Sequence, residues 1–395
     1  MTRLTEIRNG RVVTPSGIVE NGHVVVDGDR ITRVGRTPDR AIPGATTIDA
    51  NGQLVMPGLI DLHGDDIEHH RSPRSGADVD LRTALTSADR TNLLNGVTTK
   101  FHAIAFEDAP DDGRSLERAE SIARELAGEE YTLGDNRFHA RCELTDASVS
   151  AVERLVEDDA VAVDLLSVMC HLPGDGQYDA DEFERHYVED RNWPAEAVEE
   201  IARTRGSIES TARRDRIDRI VSLARRSGIP VASHDDESSG DVEAMFDHGV
   251  EISEYPITIE AARRATSLGL VTAMGAPNLV RGGSLWDNLS VRTAVEHGLV
   301  DVLCSDYHPP SLLAAPFVET GEPFATRVNR VTRNPADTVG LTERGRIEVG
   351  ARADLIVVDP DPTPTVTRVF VDGTEAIRTG HSSQPVSRSP RPVGS

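Results

Sequence analysis

The chain has 395 residues, and its 42 basic against 66 acidic side chains give a formal charge of −24. Domains run to ~100–200 residues, so this length holds two to three domains or one large unit with a satellite, and a hydrophobic fraction of 38% excludes wholesale disorder. No run approaches the ~18 apolar residues of a membrane span, and the opening MTRLTEIRNGRVV has no apolar region of the signal-peptide type.

Cys142, Cys170 and Cys304 are too few, and odd in number, for a disulfide framework. A soluble, reduced, cytoplasmic protein is expected. Lys100 is the single lysine. An acidic, lysine-poor composition suits work in concentrated salt, where screening lengths shrink to ~3 Å at ~1 M and repulsion between carboxylates is muted. No basic patch with interleaved aromatics accompanies the arginines, so neither nucleic acid nor a membrane is expected as a partner. A small anionic ligand and a homo-oligomer both remain compatible with the composition.

In chain order, the first segment reads as short strands joined by Asn-Gly and Asp-Gly turns: RNGRVVTPSG, NGHVVVDGDRITRVG and ATTIDANGQLVMPG. A matching set, GRIEVGARADLIVVD and TRVFVDGTEAI, closes the chain before a tail without apolar periodicity. Residues 1–56 and 345–380 are therefore expected to form one small β-sandwich, with 381–395 a disordered tail.

Between them, β-branched apolar runs alternate with charged amphipathic stretches. Eight runs qualify as buried strands: LVMPGLIDLHGD, GVTTKFHAI, NRFHARCEL, VDLLSVMCHLPG, IPVASHDD, VEISEYPIT, LVTAMGAPN and LVDVLCSDYH. Eight such strands separated by helices predict an α/β fold, a parallel (β/α)8 barrel over 57–344. The stretch 174–205, rich in Asp, Glu and Tyr, reads as a long insertion that forms a lid.

Ionisable residues cluster at the ends of these strands: His63 and Asp65 on the first, Glu143 on the third, His171 on the fourth, His234 on the fifth and Asp306 on the last. Barrel active sites lie at the carboxyl ends of strands, so these side chains should converge on one mouth. His, Asp and Glu are ligands of Zn, Mn or Fe. A lone strand-end His is more often structural; five strand ends carrying ligand types point to a divalent metal site. Two-residue alternation places His63 and Asp65 on one side of their strand.

These residues carry a resemblance. VMPGLIDLHGD after a β-rich start, with GARADLIVVD near the end, resembles the amidohydrolase superfamily. PGLIDLHGDDIEHHRSPRSG, ARCEL, SVMCHLPGDGQY, ASHDDES, ISEYPIT, MGAPNLVRGGS and CSDYHPPSLLAAPF, spread over 57–317, resemble one branch: diphosphatases acting on α-D-ribose 1-methylphosphonate 5-triphosphate in the carbon–phosphorus lyase pathway. The resemblance implies hydrolysis of a small-molecule 5-triphosphate to the 5-phosphate plus pyrophosphate. It also implies two divalent metal ions, one held by His63, Asp65 and Asp306, the other by His171 and His234, with Glu143 bridging. The superfamily's usual strand-one pair is HxH and its usual bridge a carboxylated lysine; here Asp65 and Glu143 stand in those places.

Asp306, beside the metals, is the expected catalytic base. Triphosphate recognition needs further cations, for which Arg281, Arg71 and Arg74 are expected, with Gly282 in a phosphate-cradling loop and His308 as a donor. Lys100 is expected at the site too, as a phosphate contact or a carboxylated ligand. Two other readings stand beside this one: a cyclic-amide hydrolase or nucleobase deaminase on the same fold, and a non-catalytic scaffold.

Overall fold

A computed structural model describes residues 4–74, 76–107, 114–170, 188, 194–284 and 288–379. His171, most of the expected lid (174–187 and 189–193) and the tail 381–395 lie outside the described residues. No described helix is long and apolar enough to cross a membrane.

Strands β1 (Leu4–Thr14), β2 (Gly17–Asp27), β3 (Arg30–Arg36), β4 (Thr46–Asp49) and β5 (Leu54–Pro57) open the chain. Then come β6 (Leu59–Gly64), β7 (Val97–Phe106), β8 (Asp135–Glu143), β9 (Leu165–Met169), β10 (Val231–His234), β11 (Ile252–Glu254), β12 (Val271–Gly275) and β13 (Val302–Cys304). Strands β14 (Leu355–Asp359), β15 (Thr365–Val371) and β16 (Thr374–Arg378) end the described chain.

Hydrogen bonding joins the terminal strands in one mixed sheet, ordered β16-β15-β14-β5-β1-β2-β3 with β4 beside β1. The eight central strands form the second sheet, parallel throughout, in the order β6 to β13. It curls until its first and last strands meet at an isolated parallel bridge between Gly64 and Asp306. There the Asp306 amide donates to the His63 carbonyl at 2.9 Å and the Asp65 amide to the Asp306 carbonyl at 3.2 Å. The fold is the eight-stranded α/β barrel that the sequence predicts. All eight predicted runs are its strands.

Alternation sorts the barrel wall into two faces. On β8, Phe138, Ala140 and Cys142 pack outward with Ala119, Ile122, Val149 and Val152 of the covering helices. His139, Arg141 and Glu143 take the opposite, inward positions and are all buried. The inner wall continues with Leu165, Ala232, Ile252, Ala273 and Val302, a small apolar plug beneath the polar mouth. Apolar packing below and ligand-type residues above is what a barrel mouth requires of its strand ends.

Candidate metal centre at the barrel mouth

Strand β6 departs from simple alternation. Its register against β7 shifts between Asp61 and Gly64, and such an irregularity re-aims the side chains around it. Asp61 and His63 consequently serve different neighbourhoods. His63 enters the mouth, whereas Asp61 turns to Lys100 on β7. The expected pairing of His63 with Asp65 through strand alternation does not hold. The strand ends at Gly64, and Asp65 caps the helix Asp66–Arg71 with φ −104° and ψ 13°.

Four side chains meet at the centre. The Glu254 carboxylate lies 2.8 Å from His63 Nδ1 and 3.3 Å from His234 Nδ1. The His63 and His234 rings stack at 5.6 Å with their planes 9° apart. His139 stands edge-on to His63 at 5.2 Å, its Nδ1 3.0 Å from the Leu62 carbonyl and its Nε2 against Ser167 Oγ. Ser167 Oγ also lies 2.9 Å from Glu254 Oε2. Among the described residues, His63, His139 and Glu254 form the one set of three whose ligand atoms lie within 4.8 Å of one another.

His139 and Glu254 were not expected from the sequence, although both stand in runs read as strands. A signal was present: His139 has the same parity as Glu143 on β8, and Glu254 ends β11 as His234 ends β10.

The electrostatics suit a cation. Burial lowers the pKa of His63, against the opposing pull of Glu254. Burial holds His139 down at about 3. Both rings are therefore neutral near pH 7, the form that ligates metal. Burial opposes ionisation of Glu254, but His63 and His139 outweigh it and hold the carboxyl well below its ordinary range. Burial also opposes a charged His234, yet Asp235 and Glu254 raise its pKa.

Asp306 closes the site from the last strand. It adopts a left-handed φ of 54° two residues past β13, and Asp235 (59°) and Tyr255 (56°), each directly after its strand, do the same. Non-glycine residues seldom adopt this conformation, and its cost of ~1–3 kcal/mol is characteristic of functional sites. Burial pushes the Asp306 carboxyl up to about 7, with Asp65 adding to the shift and Arg141 and His234 opposing it. The buried atoms Asp65 Oδ1, Asp235 Oδ2 and Tyr255 Oη have no hydrogen-bond partner among the described residues. Unsatisfied carboxylate oxygens at the strand ends fit the donor set of a divalent metal.

Glu143 is buried at the end of β8, with Oε2 3.4 Å from Arg205 Nη1. Arg205 comes from the helix Ala195–Gly206, the described end of the expected lid, and also donates to Glu107 at 3.0 Å. Arg114 extends this chain of charges, with Nη1 3.0 Å from Glu107 and Nη2 2.6 Å from Glu68. Glu107, Thr145, Glu200, Ile201, Thr204 and Arg205 line an adjoining cavity of about 180 Å³.

Lys100 differs from expectation. It shares strand parity with Ile104 and Phe106, which pack in the cluster between barrel and helices. Its ammonium lies 2.6 Å from Asp61, 2.7 Å from Asp66 and 3.0 Å from Ser305 Oγ. Burial works against the charge, but the two carboxylates hold the pKa above its ordinary value. With all three donors engaged internally, Lys100 is a buried ion-pair residue, not a phosphate contact or a carboxylated ligand. A Cβ on Gly64 would run into its Nζ, which accounts for glycine between His63 and Asp65.

The other expected phosphate contacts lie further out. Arg281 is exposed at the end of the helix Ala276–Arg281, its Nη1 3.4 Å from Tyr307 Oη. Gly282 caps that helix at φ 84°, where glycine is favoured. Arg71 is half-buried, its Nε without a hydrogen-bond partner, while Arg74 is exposed. His308 caps the helix Pro309–Ala314, with Nδ1 2.8 Å from Ser311 Oγ.

A parallel barrel with histidines and carboxylates at its strand ends defines a class, and this chain belongs to the amidohydrolase family, whose profile matches residues 166–375. It is similar to the alpha-D-ribose 1-methylphosphonate 5-triphosphate diphosphatase of Escherichia coli, 32% identical over 361 residues, 89% of this chain and 94% of that protein. It is also similar to the dihydroorotase of Mycobacterium tuberculosis, 27% identical over 409 residues and 90% of each chain. In fold it matches molinate hydrolase with a TM-score of 0.65 at 17% identity, over 100% of this chain and 99% of the other.

Proposed function

We propose that this protein is a metal-dependent diphosphatase that hydrolyses α-D-ribose 1-methylphosphonate 5-triphosphate to the 5-phosphate and pyrophosphate, in the cytoplasm. The likeness to the Escherichia coli diphosphatase over 94% of that protein carries this reading. The likeness to dihydroorotase is weaker at 27% identity.

By the resemblance, His63, Asp65 and Asp306 would hold one divalent metal at the mouth and His171 and His234 a second, with Glu143 shared between them. Such ions, Zn, Mn or Fe, would supply Lewis acidity at the phosphoryl oxygens and activate a water as the attacking nucleophile. The protein's own residues do the rest. Glu254 orients His63 and His234 through their Nδ1 atoms. Asp306, with its carboxyl near neutrality, is poised to take a proton at its carboxylate and return it.

The test is product analysis with Mn or Zn added. Pyrophosphate released from a ribose or nucleoside 5-triphosphate is the expected result. Ring opening of dihydroorotate without pyrophosphate release would favour the cyclic-amide reading. Less than one bound metal per chain, with no turnover of either substrate, would favour a scaffold.

A further inference from the structure

We propose that Arg141 is a substrate-binding residue whose guanidinium receives a phosphate group of the substrate at the centre of the mouth. For the molecule that bears the phosphate, this rests on the diphosphatase reading.

Four arginines are buried among the described residues: Arg141, Arg205, Arg330 and Arg344. Three of them face carboxylates. Arg205 Nη2 lies 3.0 Å from Glu107, Arg330 Nη2 2.7 Å from Glu322, and Arg344 Nη1 contacts Asp135. Arg141 faces no carboxylate at ion-pair distance among the described residues. Its Nη2 lies 3.1 Å from His234 Nε2, and its Nε is buried without a hydrogen-bond partner.

A buried cation without a counter-ion is costly, and proteins seldom retain one that nothing compensates. The position of this one indicates the missing anion. Arg141 stands on the inward face of β8 between His139 and Glu143, close enough to His63, His234 and Asp306 to bear on their charges. A ligand reaching those side chains also reaches the guanidinium. Its planar fork of donors matches two oxygens of one phosphate. The donor now on His234 Nε2 lies against an atom that a metal ligand would need free.

A carboxylate on a cyclic substrate could answer the same guanidinium, and the test separates the two sources. Full-length wild type, Arg141→Gln and Arg141→Lys are titrated calorimetrically with pyrophosphate and with dihydroorotate, before and after metal loading. Arg141→Gln should weaken pyrophosphate binding about tenfold or more, the usual weight of a charge-assisted hydrogen bond. Arg141→Lys should recover part of that loss. With a triphosphate substrate, KM should rise more than kcat falls. Without ligand, Arg141→Gln should unfold at or above the wild-type temperature, because an uncompensated charge has been removed; a structural residue would show the opposite.

Unchanged pyrophosphate affinity and KM in Arg141→Gln, in an enzyme that does cleave triphosphates, overturns the proposal and leaves the function standing. Arg141-dependent pyrophosphate binding in a protein that cleaves no triphosphate keeps the anion site and removes the function. Arg141-dependent binding of dihydroorotate alone overturns both.

Discussion

The Glu254 carboxylate meets His63 Nδ1 at 2.8 Å, with both side chains closed to solvent. Its other oxygen serves His234 Nδ1 and Ser167 Oγ. One acid therefore stands against the Nδ1 edge of two imidazoles. Carboxylates in this relation to ligating histidines are commonly worth ~10–100-fold in metal affinity. Glu254→Gln is expected to weaken metal binding by that order, measured by chelator competition. Wild-type affinity in the variant would reduce Glu254 to a packing role.

Glu143 presents a different expectation, because Arg205 already lies 3.4 Å from its carboxylate. If Glu143 holds metal, Glu143→Gln lowers bound metal and turnover together, read by elemental analysis alongside pyrophosphate release. Full metal occupancy with normal turnover would leave Glu143 as no more than the carboxylate that receives Arg205.

Lys100 tests the barrel instead of the chemistry. Lys100→Met would leave Asp61 and Asp66 buried with their counter-ion gone, and breaking a buried pair in this way costs ~3–5 kcal/mol. Denaturant unfolding at neutral pH should show a loss of that order. An unchanged midpoint would mean that the two carboxylates take up protons or water at little cost.

The barrel was legible because its strands are short β-branched runs buried on both faces, as all ten residues of β7 are, and such runs stand out against charged helices. The strand-end histidines and acids were legible for the same reason, since a polar residue closing an apolar run is conspicuous. What stayed hidden depended on direction. A shifted register in β6 separates Asp61 from His63, and parity alone puts Lys100 on the helix side of β7, where Asp66 arrives from a helix that follows a different strand. Glu254 looked like one more acid in VEISEYPIT until the fold set it between two histidines. Arg141 was one arginine among many, and only burial without a carboxylate sets it apart.

Asp306 links site and pH. Burial, reinforced by Asp65, pushes its carboxyl up to about 7, against about 3.9 for an aspartate in an unfolded chain. Between those values the folded metal-free protein binds more protons than the unfolded chain, so this group's contribution to stability is fully present below about pH 4 and is lost as pH rises through about 7. Metal requires the ionised carboxylate, so metal affinity should move the other way, climbing as pH approaches about 7 and levelling above it. Asp306→Asn cannot ionise; it should flatten the pH dependence of metal-free unfolding between pH 5 and 8 and remove the corresponding rise in metal affinity. Thermal unfolding of the metal-free protein and chelator competition across that range measure both. A variant that keeps the wild-type slopes would take the proton-transfer role from Asp306.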